Sequence, residues 1–409
     1  MNDLAVWTDD GALIALRRRR SLRVGLTQAL TAVAGVALGL VVPSISSGPQ
    51  IDVAGIQPLL VALGGGLVSF IALVFSLLFL VVQYGSTTFT PRLTLFRDDP
   101  LVWRTFAAFV GVFLFVTTAT LQMANLRRVT LAVPVLAVAF VVMSLMLARR
   151  LQMRALGMVQ LNATLEEVRG RGERVLRKLY FHDHHRPVET DSLPEQVQVV
   201  RWERAHSVLR QLDLPALHAA AVAADATIVV HARVGQELRR ASTVFAVHGR
   251  STIDEAVLRA AIDNGIDRTF QQDPLLAFRL LTDIGVRALS PAINDPATAV
   301  SAIGQIDDLL SLVATRELDV GRVGDQHGVL RVALAMPSWP DFLEAAIDDL
   351  AHYGAEVPAV QRRIAALLDD LAESCRPDRV DAVAARRRTL ESSRTLVTSS
   401  PTPRPGGRP

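Results

Sequence analysis

Cysteine and lysine are almost missing from this chain: Cys375 stands alone, and Lys178 is the only lysine among 43 basic residues. A solitary cysteine excludes an internal disulfide and any metal site built on paired thiolates. With one lysine, positive charge is carried by arginine, and its formal excess over 40 acidic residues is only +3. That is too small for a nucleic-acid surface and reads as a coding bias. Catalytic signatures are missing as well: there is no nucleophile elbow, phosphate loop, zinc-binding helix motif or dinucleotide glycine pattern. No catalytic residue, cofactor or metal is therefore assigned, and the chain is not expected to be an enzyme. No small-residue cleavage site appears before residue 20, so the first apolar segment is expected to be retained.

Hydrophobic residues, in contrast, make up 50% of the chain, and the mean hydropathy is +0.31. Four long apolar runs stand out, Leu22–Pro43, Gln57–Gln83, Leu101–Leu126 and Val129–Ala148. Each reaches the roughly 20 residues that cross a hydrocarbon layer as helix. Their charges, Arg23 and Arg104, lie near the ends, where long side chains reach polar surroundings. The expected fold is thus an α-helical membrane protein with four transmembrane helices over residues 22–148. A basic N-terminus (1–21) precedes them, a mixed α/β, mainly helical soluble domain (149–393) follows, and a disordered tail (394–409) ends the chain.

Arginine placement predicts orientation. Arg17 to Arg20 precede the first run and Arg23 lies at its start, Arg92, Arg97 and Arg104 lie around the second connection, and Arg149, Arg150 and Arg154 follow the fourth. The first connection, Ser44–Ile56, carries no basic residue, and the third carries only Arg127 and Arg128. The positive-inside rule then places both termini in the cytoplasm of a bacterial inner membrane.

The second run carries a stripe. Ser69, Ser76 and Gln83 recur every seven residues with Gly65 and Ala72 between them, which on a helix forms one face of small and polar groups. Two readings fit: close packing of helices, or the wet lining of a conducting path in a homo-oligomer.

Beyond residue 150 the chain turns charged and amphipathic. "LARRLQMRALGMVQLNATLEEVRGRGERVLRKLYF" continues the fourth run as helix. The polar segment 182–195 reads as a loop, and its His182, Asp183, His184 and His185 are ligand types that adjacent positions cannot aim at one ion on regular structure. Thr227–Val234 and Thr243–His248 read as strands around a Gly235 turn, "TIDEAVLRAAIDNG" as a helix stopped at Asn264-Gly265, and "GVLRVALAM" as a strand. "DFLEAAIDDLAHYG", "VPAVQRRIAALLDDLAES" and "DRVDAVAARRRTLESS" read as amphipathic helices.

Between them lies "QQDPLLAFRLLTDIGVRALSPAINDPATAVSAIGQIDDLLSLV", with Asp before Pro twice. Asp273-Pro274 and Asp295-Pro296 each suit an N-cap followed by a first helical residue that needs no N–H. Helices are expected over Pro274–Leu289 and Pro296–Val313, with Pro291 forcing a corner between them. Arg279, Asp283 and Arg287 are spaced by four on the first helix. They fit i,i+4 pairing, or an anion or partner contact together with Ser290, Asn294, Asp295 and Thr298 at the corner.

These residues carry a family resemblance. "QDP" with "TDIGVRALSPAINDPATA", "FSLLFLVVQYGSTTFTPRL" and the Asp267–Thr269 "DRT" resemble a family of uncharacterised bacterial predicted membrane proteins, domain of unknown function 2254. Gly285 stands where the family usually has alanine, and Ala241 where a second glycine is common. The resemblance implies the architecture and residence in a lipid bilayer, and no substrate. Two functions remain in view: an oligomeric channel or transport-related protein with a cytoplasmic regulatory domain, or a membrane-anchored sensor or scaffold that binds a ligand or partner.

Overall fold

The structure, a computed structural model, describes residues 26–45, 47–88, 100–159, 161–180 and 193–399. The described residues divide into two units, 26–163 and 164–399.

The first unit is a helical bundle. Helix α1 covers residues 26–41 and ends in a tight turn at Val42–Ser44. Strand β1 (Gln50–Asp52) leads directly into α2 (Val53–Thr88). Then come α3 (Pro100–Met123), β2 (Arg128–Thr130) and α4 (Ala132–Val159). The two short strands pair antiparallel, Gln50 opposite Thr130 and Asp52 opposite Arg128. The expected helix start at Val129 is thereby corrected, because the backbone there is extended and bonded to the first connection. That pairing joins the first and third connections at one end of the bundle. It also sets Asp52 across from Arg128, and such opposite charges stabilise facing strands.

The bundle is apolar on both sides. Phe109, Phe115, Val133 and Ala137 fill its interior, with edge-to-face ring pairs Phe75–Phe106 and Phe115–Phe140. Leu30, Val33, Leu77, Phe79 and Met146 are exposed on its outside, as in a bundle that meets lipid. Helix α1 crosses α3 at small residues. A Cβ at Gly35 would strike the carbonyl of Gly111, and one at Gly39 would strike Thr118 and Phe115. Gly35 and Gly39 are a G-x-x-x-G pair, which allows such an approach.

The second unit begins with α5 (Leu161–Tyr180), whose first residues belong to the bundle. Its buried face is Leu165, Val168, Val175, Leu176 and Leu179. Its outer face carries Glu167–Arg171, Arg169–Glu173 and Glu173–Arg177 ion pairs one turn apart, at 2.7–2.9 Å, each worth about 0.2–0.5 kcal/mol in a helix. Next come β3 (Gln196–Arg201), β4 (Ser207–Leu212), α6 (Leu214–Ala223), β5 (Ala226–Val230), β6 (Glu237–Leu238) and β7 (Thr243–Gly249). The short α7 (Glu255–Ala260) gives way to β8 (Ile262–Gly265). The expected single helix over this stretch is thus wrong in its second half, where Ile262–Gly265 pairs with β4.

Helices α8 (Leu276–Ala288) and α9 (Pro296–Ala314) form the hairpin at the centre of the unit. Strands β9 (Arg322–Gly324) and β10 (Leu330–Leu334) follow. One sheet has the order β3-β7-β5-β10-β9, the other β6-β4-β8. Among the described strands, only β5 and β10 run parallel. Helices α10 (Trp339–Leu343) and α11 (Asp349–Tyr353) are joined by a π turn, Glu344–Asp348. Buried Thr282 of α8 donates its hydroxyl to the carbonyls of Ala345 and Ala346 in that turn, at 3.0 and 3.1 Å. Helices α12 (Pro358–Ser374) and α13 (Val380–Ser399) complete the unit. Helix α13 runs past residue 394, where the tail was expected to start; residues 400–409 lie outside the described residues, as does the 182–185 cluster.

By length and composition, five helices among the described residues suffice to cross a bilayer: four in the bundle, and α9.

Candidate functional site

Asp295 shapes the corner between α8 and α9. Its carboxylate accepts the Thr298 N–H at 3.2 Å and the Thr298 hydroxyl at 2.5 Å. These bonds, the hydroxyl first, hold its pKa below the ordinary aspartate value. The cap expected at Asp295 is therefore present, and α9 starts at Pro296 as expected. Behind it, the Asp295 N–H donates to Ala288 and the Asn294 N–H to Ser290, both at 2.8 Å. Closing this turn puts Asn294 at φ +48°, a left-handed conformation that asparagine tolerates better than most residues. Pro291, Ala292, Ile293 and Asn294 are exposed, while Ser290 and Asp295 are half-buried.

The ladder on α8 lies along that helix's outer edge. Arg279 is exposed, Asp283 and Arg287 are half-buried, and nearly everything else on the helix is buried. The N-terminus of α9 is occupied by Asp295, so the guanidiniums do not share it with an anion. The structure brings Asp295 and Thr298 together, and leaves Arg279, at the far end of α8, outside that cluster.

Asp273 behaves differently from Asp295, and here the expected cap is corrected. Helix α8 begins at Leu276, not Pro274, and Asp273 is turned inward. Its carboxylate, 1% exposed, takes a two-pronged ion pair from Arg268 at 2.6 and 2.8 Å. It also accepts the Leu275 N–H. Gln272 beside it exchanges both amide bonds with the backbone of Leu212 on β4, at 2.9 and 3.0 Å. Gly235, at φ +86°, closes over the pair, and a Cβ there would collide with Asp273 and Arg268. Burial pushes the Tyr180 phenol up, and the charge of Asp273 adds to it. This buried hub ties α8 to the smaller sheet. The sequence signal for it was the polar "QQDP" set between apolar runs, read as a cap because Asp-Pro usually is one.

A cavity of about 30 Å3 adjoins the hub, lined among others by Leu179, Leu212, Val234, Gln272 and Met336. It has room for one or two waters, far below the several hundred Å3 of a small-molecule site.

In the bundle, Gly65, Ser69, Ala72, Ser76 and Gln83 are all exposed on α2, with Leu73 and Leu80 alongside. Ser69 returns its hydroxyl to the carbonyl of Gly65 at 3.1 Å. A Cβ added at Gly65 or Gly66 meets nothing within 4 Å. Among the described residues, then, this face of α2 is not where the chain's own helices approach closely. Gly35, Gly39 and Gly111 mark such an approach instead.

These features define the class: an α-helical membrane protein that carries a second, mixed α/β unit. The chain belongs to the DUF2254 family of predicted membrane proteins, whose profile matches residues 23–370. It is similar to uncharacterized proteins of Mycobacterium bovis and Mycobacterium tuberculosis, each 28% identical over 374 residues, 83% of this chain and 71% of the relative. No solved structure matches it.

Proposed function

We propose that the protein is a four-span channel or transport-related protein of the cytoplasmic membrane. Both termini are cytoplasmic, and α2 of each copy meets its neighbours in a homo-oligomer with the second unit as its regulatory part. The observation that carries this reading is the outer face of α2. Glycine inside a helix costs about 1 kcal/mol relative to alanine, and Gly65 and Gly66 relieve no clash with the described residues. A second copy is what such a bare small face accommodates. Ser69 and Ser76 on it bring hydroxyls to a permeant path, with Gln83 on the same face.

Leaving α9 out of the membrane rests on its surroundings. Leu309, Leu310 and Val313 are buried, and Asp307 and Asp308 on the same helix are held by Arg363 at 2.6 Å and Arg169 at 3.8 Å. An ionised carboxylate is expensive in lipid. No catalytic role is assigned to any residue.

Reconstitution of the purified full chain in planar bilayers tests the function. Unitary currents that change amplitude in Ser76→Leu are expected; a folded oligomer that stays silent would favour the sensor or scaffold reading. That second reading has its own support in the exposed corner Pro291–Asn294. There, an exposed left-handed Asn294, held by its N–H to Ser290, offers a polar contact to a ligand or partner.

A further inference from the structure

The two ends of the bundle differ in charge. At one end Arg128 faces Asp52 across the β1–β2 pair. At the other end Trp103 and Arg104 begin α3, and Arg149, Arg150 and Arg154 lie on the last part of α4; all five are exposed. Helices α3 and α4 contain no acidic residue. Among the described residues no carboxylate pairs with Arg104, Arg149 or Arg150. Arginines of the second unit such as Arg259, Arg331 and Arg387 are instead held by carboxylates at 2.8–2.9 Å. The nearest acids in sequence, Asp98 and Asp99, lie outside the described residues.

Helix register brings these arginines to one level. The rings of Phe115 and Phe140 meet at 5.3 Å, so α3 and α4 are aligned there. From that contact, Arg104 lies 11 positions back along α3 and Leu151 lies 11 positions forward along antiparallel α4. Both are about 16 Å away along the helix axes, at about 1.5 Å per residue. Leu101 and Val102 indeed pack against the buried cluster of Leu78 and Leu151. Trp103 and Arg104 therefore sit level with Arg149 and Arg150, which directly precede Leu151. The result is a belt of exposed guanidiniums, three of them without a carboxylate partner among the described residues, level with an exposed indole at the end of two apolar helices.

We infer that this patch is a headgroup site for an anionic phospholipid. Guanidinium binds phosphate oxygens in two-pronged fashion, indole settles at the headgroup level, and the apolar flanks of α3 and α4 take the acyl chains. Basic pockets between spanning helices bind such headgroups in general. The inference rests on α3 and α4 crossing the bilayer, as proposed above.

Quenching of Trp103 by lipids with brominated chains tests it in the full chain reconstituted in mixed vesicles. Trp103→Phe supplies the background from the other tryptophans. Brominated phosphatidylglycerol should quench Trp103 at a lower mole fraction than brominated phosphatidylcholine. The preference should approach fivefold for each arginine engaged, fall with salt, and survive excess inorganic phosphate. It should vanish in Arg104→Gln/Arg149→Gln/Arg150→Gln, persist when the same three become Lys, and persist in Arg127→Gln/Arg128→Gln. If the triple glutamine variant does not insert, Arg104→Gln alone should lower the preference about fivefold. Equal quenching by both lipids in the parent chain would overturn the site while leaving the spanning reading intact. Quenching by neither would overturn both. Displacement by inorganic phosphate would show a general anion site and overturn the lipid assignment.

Discussion

Asp295 and Ala241 show how much a single residue decides here. Asp295→Ala removes the cap of α9 and should cost about 0.5–2 kcal/mol, read by denaturant unfolding of the full chain in detergent. The Asp295 pKa is lowered by Thr298, so its contribution is fully present above the ordinary value of 3.8 and lost as pH falls through the lower folded value. The stability difference between parent and Asp295→Ala should therefore shrink only in that acid window, and a difference that shrinks near neutral pH would contradict the cap. Asn294→Ala should cost about 1 kcal/mol from its left-handed backbone, and Asn294→Gly should cost less. Ala241 sits at φ +68°, a conformation that costs an L-residue roughly 1–2 kcal/mol. It occupies the position where a second glycine was expected from the family resemblance, so the turn keeps glycine geometry without glycine. Ala241→Gly should raise stability by up to about 1 kcal/mol, and an unchanged or lowered melting temperature would contradict this.

At the scale of elements, two sets of glycines answer different questions. Gly35, Gly39 and Gly111 hold α1 against α3, so Gly111→Leu should overpack that crossing, cost about 1–3 kcal/mol or more, and lower folded yield in detergent. A Cβ at Gly65 meets no described atom within 4 Å, so Gly65→Leu should leave the protomer folded and melting normally while splitting the oligomer on size exclusion. Loss of protomer stability in Gly65→Leu would contradict the assignment of that face. Thr282 ties α8 to the π turn, and Thr282→Val should cost about 1–3 kcal/mol by leaving two carbonyls short of a donor. The long apolar helices, the α8–α9 corner, and strands β5, β7 and β10 were legible because period, length and Asp-Pro punctuation agree there. Strands β3 and β4 were not: "QVQVVR" and "SVLRQL" are short and mix polar with apolar residues, and only their sheet partners make them strands. The end of "TIDEAVLRAAIDNG" misled because Asn-Gly reads as a helix stop, whereas Ile262–Gly265 is held extended by β4. Asp273 misled for a similar reason. Its inward turn depends on Arg268 and Gly235, which no local pattern links to it.

For the whole molecule, the expected topology has both ends of the chain on the cytoplasmic side. Pairing of β1 with β2 puts the first and third connections at the same end of the bundle, and the choice of the cytoplasmic side for the chain ends rests on the arginine asymmetry. Reporter fusions at Gln50 and after residue 399 should report opposite sides of the membrane; the same side for both would sink this topology. The site was less legible than the architecture. The stripe on α2 could be seen as periodicity, but that it is bare depends on where α1, α3 and α4 pack, which sequence period alone does not state. The most direct test of the central claim uses the chain's single cysteine as an opportunity. In a Cys375→Ser background, Ser69→Cys, Ser76→Cys and, as a flanking control, Phe79→Cys are reconstituted and exposed to oxidant and to a membrane-impermeant thiol reagent. The account predicts disulfide-linked dimers and water-accessible thiols at positions 69 and 76, and neither at position 79. Monomeric, unreactive thiols at 69 and 76, or equal reactivity at all three positions, would contradict an oligomer built around the outer face of α2.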